Sequence, residues 1–132
     1  MRILIAEDSF VSRRLLESAL RRWGHEVIAT SDGVEAWQAL QGDQPPPLAI
    51  LDWMMPGLDG LELCRRIRCA KDRPSVYIIL LTAKGTRENV MAALEAGADD
   101  YLVKPFDLMA LQASVESACR RVELQQSPAH RV

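Results

Sequence analysis

Four places in this sequence set charged or hydroxyl-bearing side chains directly behind short apolar runs. Glu7 and Asp8 follow Ile3-Leu4-Ile5-Ala6, and Asp52 follows Leu48-Ala49-Ile50-Leu51. Thr82 follows the run from Val76 to Leu81, and Lys104 follows Tyr101-Leu102-Val103 and precedes Pro105. Three carboxylates gathered into one small pocket repel one another and call for a counter-charge. A divalent cation with oxygen ligands is the natural one. Mg²⁺ takes octahedral oxygen coordination, keeps several waters and bridges one or two carboxylates to a phosphate. Lys104 adds a point charge suited to a phosphoryl oxygen, and the Thr82 hydroxyl can donate to another. A carboxylate is an established nucleophile in such chemistry. An acidic pair, a lone aspartate, a hydroxyl and a lysine together read as a site for phosphoryl transfer onto Asp52.

These residues converge only if the chain folds so that the ends of the apolar runs meet. Five such runs occur; Val27-Ile28-Ala29 is the one without an acid or lysine behind it, leading instead into Thr30-Ser31-Asp32-Gly33. Several are apolar at consecutive positions, as strands buried on both faces of a parallel sheet are. Between them lie segments of helical period. Leu15, Leu16, Ala19, Leu20 and Trp23 mark one helix face, stopped by Gly24. Ala36, Trp37 and Leu40 mark a second helix, Leu63, Cys64 and Ile67 a third, and Val90, Met91 and Leu94 a fourth. Leu108, Leu111, Val115, Ala118 and Val122 mark a fifth. Ser9, Asp59 (with Glu62 three residues on) and Asp107 are candidate N-caps. The order is βα five times over. Right-handed crossovers then predict a flavodoxin-like α/β fold, a doubly wound (βα)5 with a parallel five-stranded sheet in the order 2-1-3-4-5. In such sheets ligands bind beyond the carboxyl ends of the strands, at the switch point between strands 1 and 3.

The bulk composition sets bounds on the function. The 132 residues suit one domain. We expect that domain to span 1–122, with 123–132 a helix extension and a tail irregular from about Gln125. With 48% hydrophobic and 26% charged residues and a net charge of −2, nothing suggests a basic footprint for nucleic acid. The three cysteines, Cys64, Cys69 and Cys119, are odd in number and lack zinc-site spacing, which fits reduced thiols in a cytoplasmic protein. No apolar run has the roughly 18 residues of a membrane span, and the N-terminus does not read as a signal peptide. His25 and His130 have no partner visible in the sequence.

The pattern resembles the receiver domains of two-component response regulators, with the chemotaxis receiver as the minimal form. The resemblance is carried by Glu7-Asp8, Asp52, Met55-Pro56-Gly57, Asp59-Gly60, Thr82-Ala83, Gly97-Ala98-Asp99-Asp100-Tyr101 and Lys104-Pro105. Each piece is weak alone; all of them in order are specific. The resemblance implies that Asp52 accepts a phosphoryl group from a histidine of a sensor kinase or phosphotransfer protein. It implies Mg²⁺ bound by Asp8, Asp52 and the Met54 backbone carbonyl, with Glu7 acting mainly through a coordinated water. Lys104 would pair with the phosphoryl group, and the Lys104-Pro105 bond would be cis. Thr82 and Tyr101 would form a switch pair, the hydroxyl moving to the phosphoryl group and the ring turning inward. Met54 and Lys84 would flank the path of attacking water and lengthen the life of the phosphoryl group. The protein would catalyse only its own phosphorylation and dephosphorylation.

Two other readings compete. A haloacid-dehalogenase-like phosphatase would also use Asp52 as nucleophile, but it wants a second acid two residues later, where Met54 stands. A flavin or nucleotide carrier wants a phosphate-cradling glycine loop after the first strand, where Glu7-Asp8 puts negative charge. The output is not written in the sequence, which suits a free-standing receiver or part of a longer regulator. The helix 4–strand 5–helix 5 face is the expected partner surface, because Val122 and Leu124 have no evident cover and could pair weakly with a second copy. Trp53, beside the acceptor, could line the pocket or simply pack.

Overall fold

The computed structural model describes residues 1–70, 73–83 and 85–126. Five strands alternate with five helices: β1 (Arg2–Ala6), α1 (Phe10–Arg22), β2 (Glu26–Thr30), α2 (Gly33–Leu40), β3 (Leu48–Asp52), α3 (Gly60–Cys69), β4 (Tyr77–Thr82), α4 (Arg87–Ala96), β5 (Asp100–Val103) and α5 (Leu108–Gln126). All pairings are parallel, and the sheet order is β2-β1-β3-β4-β5. This is the flavodoxin-like arrangement expected from the alternation. The central strands β3 and β4 are buried along their whole length, which is why they read as unbroken apolar runs.

Side chains alternate across the sheet and feed two cores. Ile3, Ile5, Leu48, Ile50, Ile79 and Leu81 pack with Leu16, Leu20, Leu111, Val115 and Val122 of α1 and α5. Leu4, Ala6, Ala49, Leu51, Ile78 and Leu80 pack with Ala36, Leu40, Leu63, Cys64, Ala93 and Ala96 of α2, α3 and α4. The helices begin where the sequence supplies a cap. Ser9, Asp32, Asp59 and Thr86 each accept a bond from a backbone amide three residues on, and Asp107 does the same for Ala110 at 2.7 Å. Gly97 ends α4 in the left-handed region at φ 104°, where a Cβ is strained.

Several faces differ from the periodic reading. Leu15 is 64% exposed, so α1 meets the sheet through Leu16, Ala19 and Leu20 alone. On α4, Met91 and Leu94 are exposed and Ala93 and Ala96 are buried. The small alanines let this helix lie close to the sheet, which turns its larger apolar residues outward. Leu108 is exposed, but Val122 is 3% exposed and belongs to the α1–α5 core. The stripe from Leu111 to Val122 therefore covers the sheet, and only Leu124 of the pair thought to be uncovered is exposed. The helix also continues through Gln126, past the expected start of the irregular tail. Residues 127–132, including His130, lie outside the described residues.

Two glycines set how closely helices approach the backbone at the end of β3 and in the loop after it. A Cβ on Gly60 would stand 2.3 Å from the Asp52 carbonyl oxygen, and one on Gly33 2.0 Å from that of Leu58. Gly60 also donates its amide to the Trp53 carbonyl at 3.0 Å, locking the start of α3 under the end of β3. Gly60→Ala should therefore destabilise the protein by roughly 1–3 kcal/mol, the usual cost of overpacking. Gly42→Ala, where the nearest atom lies 4.0 Å away, should be close to neutral. Urea unfolding of the two variants checks the contrast.

Candidate functional site

Strand polarity brings the singled-out residues to one end of the sheet. Glu7, Asp8 and Asp52 offer carboxylate oxygens that all lie within 4.8 Å of one another. Glu7 is 1% exposed and Asp52 5%, while Asp8 is exposed. The Lys104 ammonium lies 3.2 Å from Asp52 Oδ1 and 3.4 Å from Glu7 Oε2. One cation thus faces two buried acids and a third at the rim. The Glu7 carboxyl is pushed up from 4.5 to about 7. Burial is the main cause, followed by a hydrogen bond with the Asp52 carboxyl and repulsion from its charge; Lys104 opposes all three.

The backbone holds this arrangement through the sheet ends. The Glu7 amide donates to the Thr30 carbonyl at 3.2 Å, the Trp53 amide to Leu81 at 2.8 Å, and the Lys104 amide to Thr82 at 2.7 Å. Each loop that carries a functional side chain is therefore tied to a neighbouring strand. The Lys104-Pro105 peptide is cis.

Thr82 is 3% exposed at the end of β4. It opposes Val103 in the register, and Tyr101 opposes Leu80. Thr82 and Tyr101 therefore sit on one face of adjacent strands. That face is the α2–α4 side, since Leu80 and Tyr101 both pack in that core. Asp52 continues the alternation of Leu48 and Ile50, which belongs to the α1–α5 side. Met54 is 57% exposed beside the acceptor, and Trp53 is buried in the α2–α4 core, so the tryptophan packs. Lys84 lies outside the described residues.

Sequence reasoning missed two features. An apolar groove of about 770 Å³ opens beside Glu7 and Lys104, walled by Leu15, Leu16, Pro105, Phe106 and Leu108. The exposure of Leu15 was the missing signal, because periodicity placed that residue in the core. Arg13, which the sequence reading did not single out, sends Nη1 to the Glu7 carbonyl at 2.8 Å. No spacing rule announces a side chain that turns back onto the loop before its own helix.

The sequence matches the response regulator receiver domain family over residues 3–116. The chain belongs to that family. Phosphorylation by a histidine kinase is the family's general function. The receiver is 44% identical over 119 residues to the transcriptional regulatory protein CseB of Streptomyces coelicolor, covering 90% of this chain. It spans about half (49%) of that relative's length. It is 38% identical to a chemotaxis protein CheY homolog of Campylobacter jejuni, covering 88% of this chain and 90% of that protein.

Among solved structures, the receiver superposes on a CheY-like receiver domain protein of Methanospirillum hungatei with a TM-score of 0.84 and 27% identity, covering 94% and 97% of the two chains. It also superposes on the receiver domain of the sensor histidine kinase PA1611 of Pseudomonas aeruginosa. That match has a TM-score of 0.78 and 34% identity, and covers 88% and 94% of the two chains. The Pseudomonas domain holds a magnesium ion coordinated in its active-site cleft.

The raised Glu7 value gives a prediction for the metal-free receiver. A carboxyl whose folded value lies above its unfolded value favours folding while protonated, and that contribution is lost as pH rises through the folded value. The Glu7 contribution should be complete below about pH 4.5 and gone above about pH 7. Glu7→Gln keeps the neutral form at every pH. In EDTA, it should melt higher than the parent at pH 8, with the difference shrinking towards pH 5. Parallel melting curves for the two proteins across that range would contradict this account of the Glu7 shift.

Proposed function

We propose that this receiver takes a phosphoryl group from a phosphohistidine of a sensor kinase or phosphotransfer protein onto Asp52. The observation that carries the reading is the Lys104 ammonium 3.2 Å from Asp52 Oδ1, with two further carboxylates beside it. An Asp52 oxygen attacks phosphorus, the P–N bond to the donor imidazole breaks, and the electron pair leaves with the imidazole. Lys104 then holds a phosphoryl oxygen in place of its contact with the free carboxylate. Thr82 donates to another.

Three clustered oxygen donors, two of them buried and one raised in pKa by burial and by Asp52, fit a hard divalent cation. Asp8, Asp52 and the Met54 carbonyl would hold Mg²⁺ directly, with Glu7 acting through a coordinated water. When bound, Mg²⁺ neutralises the carboxylates and the charge that builds on the phosphoryl oxygens. Glu7 pairs with Lys104 and so keeps the ammonium over the acceptor. Met54, exposed at the rim, shields the phosphoryl group from water. The protein transfers no group to a second substrate; its only reactions are its own phosphorylation and dephosphorylation.

The output follows from the position of Thr82 and Tyr101 on the α2–α4 face. Movement of the hydroxyl to the phosphoryl group vacates space into which the Tyr101 ring turns. That change reaches the surface formed by α4, β5 and α5, where Met91, Leu94 and Val103 are exposed. We assign this surface to an output partner or, weakly, to a second copy, with α4 and β5 supplying the contact that the buried stripe of α5 cannot. No described helix is long and apolar enough to cross a membrane, and the net charge of −2 gives no footprint for nucleic acid. A cytoplasmic receiver of residues 1–122, with a short helical extension behind it, suits these features.

Labelling with acetyl phosphate tests the acceptor. The parent should incorporate phosphate only with Mg²⁺, Asp52→Asn should incorporate none while melting as a folded protein, and Asp8→Ala should lose most of the Mg²⁺ response. Strong labelling of Asp52→Asn elsewhere would overturn the assignment. Beryllofluoride, a stable phosphoryl mimic, should alter hydrogen exchange in residues 100–124 or the sedimentation of the protein. If it changes neither, the output surface is wrongly placed.

A further inference from the structure

The two members of the acidic pair are held in different ways. Glu7 is fixed from several directions: its amide bonds to Thr30, its side chain is buried, and its carboxylate pairs with Lys104. Asp8 is exposed, and among the described residues no hydrogen bond or ion pair holds its carboxylate. Its place is therefore set by backbone alone. The peptide unit that sets it runs from the Glu7 carbonyl to the Asp8 amide and is planar. Fixing its carbonyl oxygen fixes where the Asp8 Cα sits and so narrows the directions in which its side chain can leave the loop.

The group bonded to that oxygen is Arg13 Nη1, at 2.8 Å. The guanidinium is itself braced. It lies 5.6 Å from the centroid of the Phe10 ring, and the Arg13 amide bonds to the Ser9 carbonyl at 2.9 Å in the first turn of α1. Its charge also reaches Glu35 of α2, a carboxyl already held below its ordinary value by the hydroxyl and amide of Ser31. Arg14 is a natural control. It has the same charge and also lies over Phe10, at 6.0 Å, but no bond from it to Glu7 exists among the described residues.

We propose that Arg13 is a positioning residue for the divalent-cation site, acting through the Glu7–Asp8 peptide to aim the Asp8 carboxylate. The inference rests on the proposed Mg²⁺ site. A rigid, forked guanidinium suits the task; a lysine ammonium there is a single flexible point charge. Partners that orient a metal ligand typically change affinity by 10–100-fold when removed. Because Arg13 acts on one ligand through backbone, its loss belongs near the lower end, about tenfold.

Mg²⁺ titration followed by Trp53 fluorescence and by melting temperature measures this directly. Arg13→Ala should raise the half-saturating Mg²⁺ concentration about tenfold, and Arg13→Lys should fall between it and the parent. Acetyl phosphate labelling of Arg13→Ala should be slow at low Mg²⁺ and return to the parental rate at saturation. Arg14→Ala should leave the affinity unchanged. Unchanged Mg²⁺ affinity in Arg13→Ala, or an equal loss in Arg14→Ala, overturns the proposal, since the second outcome would mean that charge alone matters. Should Arg13→Ala not fold, Arg13→Lys and Arg13→Gln carry the same comparison. Absence of any Mg²⁺ response in the parent would instead remove the metal site itself, a failure of the underlying reading that the parental titration identifies by itself.

Discussion

The site depends on one electrostatic constraint: three carboxylates lie within 4.8 Å of one another, and a single ammonium, Lys104, pairs with two of them, Glu7 and Asp52. Bringing like charges that close, two of them out of water, favours protonation, and burial together with Asp52 pushes the Glu7 carboxyl up to about 7. Lys104 offsets part of the repulsion by standing between Glu7 and Asp52. The arrangement therefore favours a further positive charge, and this repulsion is what supports the proposed cation site. The same repulsion makes the site sensitive to the exact direction of Asp8, the one acid whose carboxylate lacks a protein partner among the described residues.

Parallel strands make the gathering possible. All five point the same way, so residues that end separate apolar runs are delivered to one edge, and backbone bonds from the Glu7, Trp53 and Lys104 amides to neighbouring strands hold the loops there. The two-residue alternation then separates labour between the faces. Asp52 is in phase with the α1–α5 core, whereas Thr82 and Tyr101 are in phase with the α2–α4 core. Chemistry on one side and the proposed switch on the other meet only at the strand ends, where β3 and β4 terminate together. Gly60, whose missing Cβ lets α3 sit against the Asp52 carbonyl, keeps that junction tight.

Exposed apolar residues outline two surfaces around this centre. Leu15 and Leu108 wall the groove beside Glu7 and Lys104. Met91, Leu94 and Val103 form an outward patch on α4 and β5. On α4 the small Ala93 and Ala96 take the buried positions, which leaves Met91 and Leu94 facing outward.

The sequence by itself determined the strand order, the helix caps and which residues would meet at one end of the sheet. Their signals are local: buried parallel strands must be apolar throughout, caps need Ser, Asp or Thr at one position, and a functional acid must directly follow its strand. The tertiary structure decided which side of each helix is the core side. Leu15, Met91 and Leu94 have the hydrophobicity of core residues and face outward, while Val122 is inside, because rotation about a helix axis depends on how close the helix can approach the sheet. The tertiary structure also decided the raised pKa of Glu7 and the reach of Arg13 to the Glu7 carbonyl. Burial, the Asp52 carboxyl and Lys104 set the first through space. The second depends on the angle at which α1 leaves its cap, which brings a guanidinium six residues along the chain back to the loop it follows.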